Sequence, residues 1–310
     1  MIDDAASAGL LDRADYLALI EARVRAPQEL QAALINRRRR PVAGPDGRLM
    51  IIAADHTARG MLAVGADPLA VADRFTLLER LCLALAVPGV DGVMASADVL
   101  EELAWLGRLE GMLAIGTMNR GGVIGARWEL DDRLTAYDAD HIAQFGLDGG
   151  KTLVRIDHED AGTARTLEMV ARLTTQLADH RLLAMVEPLP YRKDPEGRAV
   201  LDPSEERLMK VVAIASGLAS TSAYTWLKIP ATEHAEQVAA TTTLPILLLG
   251  GDPGANWSQT FARWEAALRA PNIRGLVPGR PLLYPHELDV TEAVRRAVAL
   301  VHQVKGSDVR

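Results

Sequence analysis

The sequence predicts an α/β fold, a (β/α)8 TIM barrel with an N-terminal helical extension, on three observations. From residue 48 onward, eight short runs rich in Ile, Val and Leu alternate with longer amphipathic stretches. The runs are almost wholly apolar, the pattern of parallel strands covered by helices rather than of strands with one wet face. Eight such units in about 260 residues match the usual size of a barrel. A doubly wound open sheet is the alternative, but no Gly-rich dinucleotide fingerprint follows the first run.

Residues 1–45 are the expected extension and 46–310 the expected barrel. DRADYLALIEARV and PQELQAALI carry apolar residues at three-to-four spacing and predict two helices. The run Arg37 to Arg40 follows directly. It reads as a solvated helix end whose charge complements the C-terminal dipole, with a phosphate or nucleic-acid contact as the other reading. PVAGPDG (41–47) is a turn. The extension either covers the barrel floor or forms a subunit interface, and the interface is the expectation. The eight strands are RLMIIAAD (48–55), DGVMAS (91–96), MLAIGTM (112–118), KTLVRID (151–157), LLAMVEP (182–188), YTWLKIP (224–230), LPILLLGG (244–251) and RGLVPG (274–279). Helical stretches lie between them, including PLAVADRFTLLERLCLALA, VLEELAWLGRL, GTARTLEMVARLTTQLAD and SEERLMKVVAIASGLA. VTEAVRRAVALVHQV closes the chain. Thr163 and Ser204 precede their helices as expected caps.

Apolar residues make up 49% of the chain and charged residues 24%, a globular balance that excludes wholesale disorder and a coiled coil. The longest apolar runs, such as LCLALAVPGV, are about half of a bilayer span. The N-terminus MIDDAASAGL has no basic flank ahead of an apolar core, so no secretory signal is expected. The single cysteine, Cys82, excludes an internal disulfide framework and a cysteine metal cluster. A net charge of −7 offers nucleic acid no general attraction. These features predict a cytoplasmic, homo-oligomeric enzyme with no cofactor and with neither nucleic acid nor membrane as a partner.

Barrel chemistry gathers at the C-terminal ends of the strands. Read in order, those ends carry Asp55 and His56, Ser96, Asn119 with Arg120, Asp157, Glu187 with Tyr191, Lys228, the Gly250–Gly251–Asp252 turn, and Gly279 with Arg280. Only five of the 34 basic residues are lysine, and two of them, Lys151 and Lys228, sit inside apolar runs. Burial disfavours an ammonium ion, and a lysine neutral near pH 7 is the nucleophile that makes a Schiff base with a carbonyl. The bland reading of each lysine is a buried ion pair. LLLGGDP and LVPGRPLLYP are glycine turns entering helices after the last two strands, where barrels often hold phosphate, and Arg280 adds a two-pronged donor. Asp55, Glu187 and Tyr191 are the acid–base candidates. A zinc site needs about three converging ligands, and His56, His141 and His158 do not obviously converge.

These residues resemble the class I (Schiff-base) aldolase superfamily that contains deoxyribose-phosphate, tagatose-bisphosphate and archaeal-type fructose-bisphosphate aldolases. The resemblance covers roughly residues 48–285. It rests on DH ending the first strand, GGKTLVRI on the fourth, EPLPY on the fifth, the lysine of YTWLKIP on the sixth, then LGGDP and GRPLLYP. IIAADHTARGM, GTMNRGG, TSAYTWLK and LLLGGDP further resemble an actinobacterial aldolase-like group associated with myo-inositol catabolism. The resemblance implies Lys228 as the imine-forming lysine, Asp55 as a proton-handling carboxylate and Lys151 as a second lysine tuning the site. It implies Glu187 at the acidic strand-five position of the tagatose-bisphosphate branch, where the archaeal branch has a tyrosine that Tyr191 matches only loosely. Gly250, Gly251, Gly279 and Arg280 match the phosphate loops, and Asn119 with Arg120 joins the expected substrate contacts. The implied reaction is cleavage of a phosphorylated ketose through a lysine Schiff base. The inositol context points to 2-deoxy-5-keto-gluconate 6-phosphate, giving dihydroxyacetone phosphate and malonate semialdehyde. The competing readings are a sugar-phosphate isomerase or epimerase using Asp55 and Glu187, a metal-dependent aldolase with His56 as a ligand, and a non-catalytic sugar-phosphate binding barrel.

Overall fold

The computed structural model describes residues 11–120, 122–251, 257–286 and 288–303. Asp252 of the expected glycine turn, the first ten residues of the extension and Val304 of the last expected helix lie outside them. Among the described residues nine strands follow in order: β1 (Leu49–Ala54), β2 (Gly92–Ala95), β3 (Leu113–Thr117), β4 (Gly149–Ile156), β5 (Leu183–Lys193), β6 (Ala199–Leu201), β7 (Thr225–Pro230), β8 (Ile246–Leu249) and β9 (Ile273–Val277). All but β6 are parallel and close into a ring, β1-β2-β3-β4-β5-β7-β8-β9 and back to β1. The expected eight-stranded barrel is therefore the observed one. Its seam is the pairing of Leu49 with Gly275 and Met50 with Leu276. Gly275 has φ of +145°, and a Cβ there would lie 1.8 Å from the Leu49 carbonyl oxygen, so the ring closes only around glycine.

The helices are α1 (Arg13–Arg25), α2 (Pro27–Asn36), α3 (Arg74–Leu85), α4 (Ala97–Trp105), α5 (Ala139–Gln144), α6 (Gly162–Asp179), α7 (Glu205–Ser216), α8 (Ala235–Ala239), α9 (Trp257–Ala267), α10 (Arg280–Leu283) and α11 (Val290–Gln303). Among the described residues, no helix is long and apolar enough to cross a membrane. Ser204 caps α7 as expected, its Oγ accepting from Arg207 N. Thr163 does not cap α6; it lies inside the first turn, where its hydroxyl donates to Asp157 O.

Strand side chains alternate between two faces, and the core divides accordingly. Leu49, Ile51 and Ala53 of β1 join Met94, Leu113, Ile115, Leu183, Met185, Leu247 and Val277 inside the barrel, while Met50 and Ile52 face the helices. Trp226 and Val42 pack against the inner cluster. One element was not foreseen. The fifth strand continues past Pro188 to Lys193, turns at 194–198 with Gly197 at φ +79°, and pairs antiparallel with β6, Tyr191 opposite Leu201.

The arginine run is the clearest correction. Arg37 is not a solvated helix end but is buried at the barrel floor, where it donates to Asp148 Oδ2 (2.7 Å), Gly146 O (2.9 Å) and Met112 O (3.2 Å). Arg39 Nε reaches Asp148 Oδ1 at 3.1 Å and Arg40 reaches Asp91 Oδ1 at 2.5 Å. Asp148 and Asp91 stand just before β4 and β2; Asp148 Oδ2 also accepts from the backbone amide of Ala114, and Asp91 Oδ2 from that of Met50. Arg37, Arg39 and Arg40 thus tie the extension to the barrel floor. On α1, Leu17, Ile20 and Val24 remain exposed.

Breaking a buried ion pair costs about 3–5 kcal/mol because it strands the remaining charge. Arg37→Ala should therefore lower the unfolding free energy by about 3 kcal/mol, seen as a reduced urea midpoint with an unchanged slope. A loss below about 1 kcal/mol, the range of surface pairs, would show that the floor does not depend on this clamp.

Candidate active site

The site is the inner stripe continued past the apolar layer. Two residues beyond Ala53 on β1 comes Asp55; two beyond Met185 on β5 comes Glu187; two beyond Trp226 on β7 comes Lys228. Lys151 on β4 stands opposite Met185 in register and Thr117 on β3 stands opposite Lys151. Each strand's alternation thus aims one polar side chain into the mouth of the ring.

There they form a continuous charged chain. Arg120 NH2 lies 3.0 Å from Asp55 Oδ2 and 2.9 Å from the Asp55 carbonyl oxygen. Lys151 Nζ is 3.4 Å from the same Asp55 oxygen, and Thr117 Oγ1 donates to it at 3.3 Å. Lys151 is also ion-paired with Glu187 Oε2, and the other oxygen of Glu187 accepts from Lys228 Nζ at 2.8 Å. Glu187 therefore bridges two lysines. Lys151 is fully buried and Lys228 is 4% exposed.

Burial raises the Asp55 carboxyl, but Arg120, Lys151 and Lys228 outweigh it and hold the group well below the usual carboxylate range. The same contest at Glu187 is won by Lys151 and Lys228, which bring it to about 2. Lys151 falls to about 8, because burial outweighs the attraction of Asp55 and Glu187. Burial, with Arg280 and Arg120 opposing the pull of Asp55, takes His56 to about 3.

A cavity of about 190 Å3 opens on this chain, lined by Asp55, Arg120, Glu187 and Lys228 together with Gly250, Gly251, Gly279 and Arg280. Lys228, not Lys151, is the lysine on its wall. A Cβ on Gly279 would lie 2.4 Å from Ala53 O and 2.6 Å from His56 Cε1, so glycine alone fits between the last strand and the first. Arg280 is buried and donates from NH1 to Ala63 O at 2.9 Å.

Three polar strand ends stand apart from the cavity. Asn119 is fully buried, and its amide is consumed by Asp132 O, Leu153 O and Leu153 N, which ties the end of β3 to β4. The expected substrate contact at Asn119 is thus corrected to a structural one. Asp157 accepts from Glu159 N in a local turn, and Ser96 bonds Asp98. Among the described residues, no group of three His, Cys, Asp or Glu side chains converges to hold a metal ion. Arg59, in the same DHTARG segment as Asp55, lines the cavity and was missed. Its signal was an arginine one turn past the strand end. Tyr191 also lines the cavity, with the Arg155 guanidinium 5.2 Å from its ring centre.

The family model described as Cgl0159-like matches residues 47–298. The crystal structure of Cgl0159 from Corynebacterium glutamicum superposes with a TM-score of 0.91 at 45% identity, over 94% of this chain and 98% of that one. An archaeal fructose 1,6-bisphosphate aldolase gives a TM-score of 0.64 at 18% identity, over 88% and 98% of the two chains. A structure of an archaeal fructose-1,6-bisphosphate aldolase with its catalytic lysine covalently bound to the carbinolamine intermediate of its substrate gives 0.63 at 18% identity, over 88% and 99%. These distant likenesses show a shared (β/α)8 barrel fold. A search of curated proteins found no match.

The depressed carboxyl of Glu187 makes stability depend on acid. Its folded value is near 2 against 4.5 for an unperturbed glutamate, so its contribution is complete above about 4.5 and is lost as pH falls toward 2, where the unfolded chain binds the proton first. The thermal midpoint should fall across that window, and less steeply in Glu187→Gln. Equal slopes in both proteins would mean that Glu187 is not held by the two lysines.

Proposed function

The chain belongs to the Cgl0159-like family, and within it we propose a class I aldolase that cleaves a phosphorylated ketose through a Schiff base on Lys228. One observation carries this reading: of two buried lysines sharing one carboxylate, a single one, Lys228, reaches the wall of a cavity that the glycine loops after β8 and β9 also line.

The chemistry follows from the positions. Lys228 gives a proton to Glu187, 2.8 Å away, and its lone pair adds to the ketone to form a carbinolamine. Loss of water with the returned proton gives the iminium. As a base removes the proton from the hydroxyl beyond the scissile bond, the C–C pair flows into the iminium and an aldehyde departs. The enamine is then protonated, and water hydrolyses the imine to free Lys228. Asp55 and Glu187 are the carboxylates within reach of these transfers. Lys151, near 8, stays a cation at neutral pH and keeps Glu187 ionised. The phosphate would sit at Gly250, Gly251, Gly279 and Arg280, where backbone amides and a guanidinium can face an anion.

The isomerase reading needs one carboxyl that starts protonated. Asp55 and Glu187 are both held in the anionic form by cations, which favours the imine route. The resemblance to the inositol-associated group makes 2-deoxy-5-keto-gluconate 6-phosphate the first substrate to offer.

Borohydride added with a ketose phosphate should fix one adduct, on Lys228 by peptide mass spectrometry. Lys228→Met should fold and show no adduct. Lys151→Met should slow turnover while still allowing some labelling of Lys228. Adduct on Lys151, or turnover with no trapped adduct, would overturn the assignment, and the second outcome would remove the imine mechanism altogether.

Arg280→Ala should raise KM for a phosphorylated ketose about ten- to a hundredfold relative to its unphosphorylated analogue, the effect of losing a charge-assisted hydrogen bond. Equal losses on both would assign Arg280 to holding Ala63.

A further inference from the structure

Arg59 is a charged group on the cavity wall that the chemistry above does not use. It closes a single 3-10 turn, Thr57–Arg59, set by Gly60 in the left-handed region at φ +72°. The side chain is 6% exposed, and its Nε donates to Gly122 O at 2.9 Å. Its terminal nitrogens make no hydrogen bond among the described residues. The nearest carboxylate oxygen, Glu129 Oε1, is 3.8 Å from NH2 and lies closer to Arg155 NH1, at 3.4 Å. Arg155 in turn holds Asp132, with NH2 2.8 Å from Oδ1 and Nε 2.9 Å from Oδ2. Burial, followed by the guanidiniums of Arg155 and Arg120, lowers Arg59 from its usual range against the pull of Asp132 and Tyr191. Arg59 is thus a desolvated donor, crowded by like charge, with a cavity before it.

Its place in the ring gives the site a direction. Arg59 touches Gly122 beyond β3 and neighbours Arg155 of β4 and Tyr191 of β5. In the circular strand order, β3 and β4 stand diametrically opposite β8 and β9, which carry the glycine loops. Lys228 and Glu187 lie between the two ends.

We propose that Arg59 forms a second anion subsite, so that the substrate carries a carboxylate or phosphate at the end away from the glycine loops. The orientation rests on the aldolase reading: one anion at the loops, the carbonyl at Lys228, and the second anion on the aldehyde half that departs. A guanidinium presents two parallel donors to either oxyanion.

The test is aldol synthesis from dihydroxyacetone phosphate with three three-carbon acceptors: glyceraldehyde, malonate semialdehyde and glyceraldehyde 3-phosphate. For Arg59→Leu, kcat/KM for an anionic acceptor should fall at least tenfold relative to glyceraldehyde. Arg59→Lys, which keeps the charge and a donor for Gly122 O, should recover part of that ratio. The acceptor with the larger loss identifies the anion as carboxylate or phosphate. An unchanged ratio for both anionic acceptors overturns the subsite. Calorimetric titration of the same proteins with malonate and with inorganic phosphate separates this from failure of the aldolase reading. If no acceptor turns over but Arg59→Leu weakens either anion tenfold, the subsite stands and the aldol chemistry falls. Equal affinities in wild type and variant remove the subsite.

Discussion

The carboxylate of Glu187, shared between the ammonium groups of Lys151 and Lys228, is the interaction on which the site depends. Each buried ion forfeits several kcal/mol of hydration, which only close pairing offsets. Without Glu187, two lysines in the mouth of the barrel would face each other with Asp55 as their nearest counter-charge. With it, both can be buried, and one of them can meet a ligand. Asp55 extends the same logic: Arg120 holds its carboxylate and its carbonyl together, so backbone and side chain are fixed as one unit.

The barrel turns this pairing into a site by plain alternation. An apolar layer runs round the inside, and the next inward position on β1, β5 and β7 is ionisable. At the other end the strands begin with acids. Asp91 and Asp148 are neutralised from outside by the arginines that follow α2, and His302 of α11, raised to about 9 by Asp91 and Asp46 despite its burial, adds to the same cluster. Charge is thus confined to the two ends. The apolar layer inside the barrel separates the two clusters.

The fold was legible because eight apolar runs and their helices carry their own periods. Lys228, Glu187 and Asp55 were legible because each interrupts or ends such a run, where a polar side chain has no packing role. Asn119 met the same criterion and yet is structural. Its amide satisfies three backbone groups at the end of β3, and no pattern in one strand reports what a neighbouring strand leaves unsatisfied. The arginines at 37–40 failed for a related reason: their partners Asp91 and Asp148 lie 51 to 111 residues away. The β5–β6 hairpin was hidden because YRKDPEGRAVL reads as a polar turn, and only the extension of β5 shows that its flanks pair.

The same strand explains why this chain departs from the tyrosine-bearing branch it resembles. Along β5, inward positions fall at Glu187, Leu189 and Tyr191, and all three line the cavity. A strand rises about 3.3 Å per residue, so Tyr191 stands about 13 Å above Glu187. That height puts its ring beside the Arg155 guanidinium rather than beside Glu187. Glu187 stands at the level of Lys228 instead. A carboxylate there does what a phenol does not: ionised, it pairs with Lys228 through one oxygen and with Lys151 through the other. Tyr191 is left to the outer end of the cavity, where the departing half of the substrate would lie.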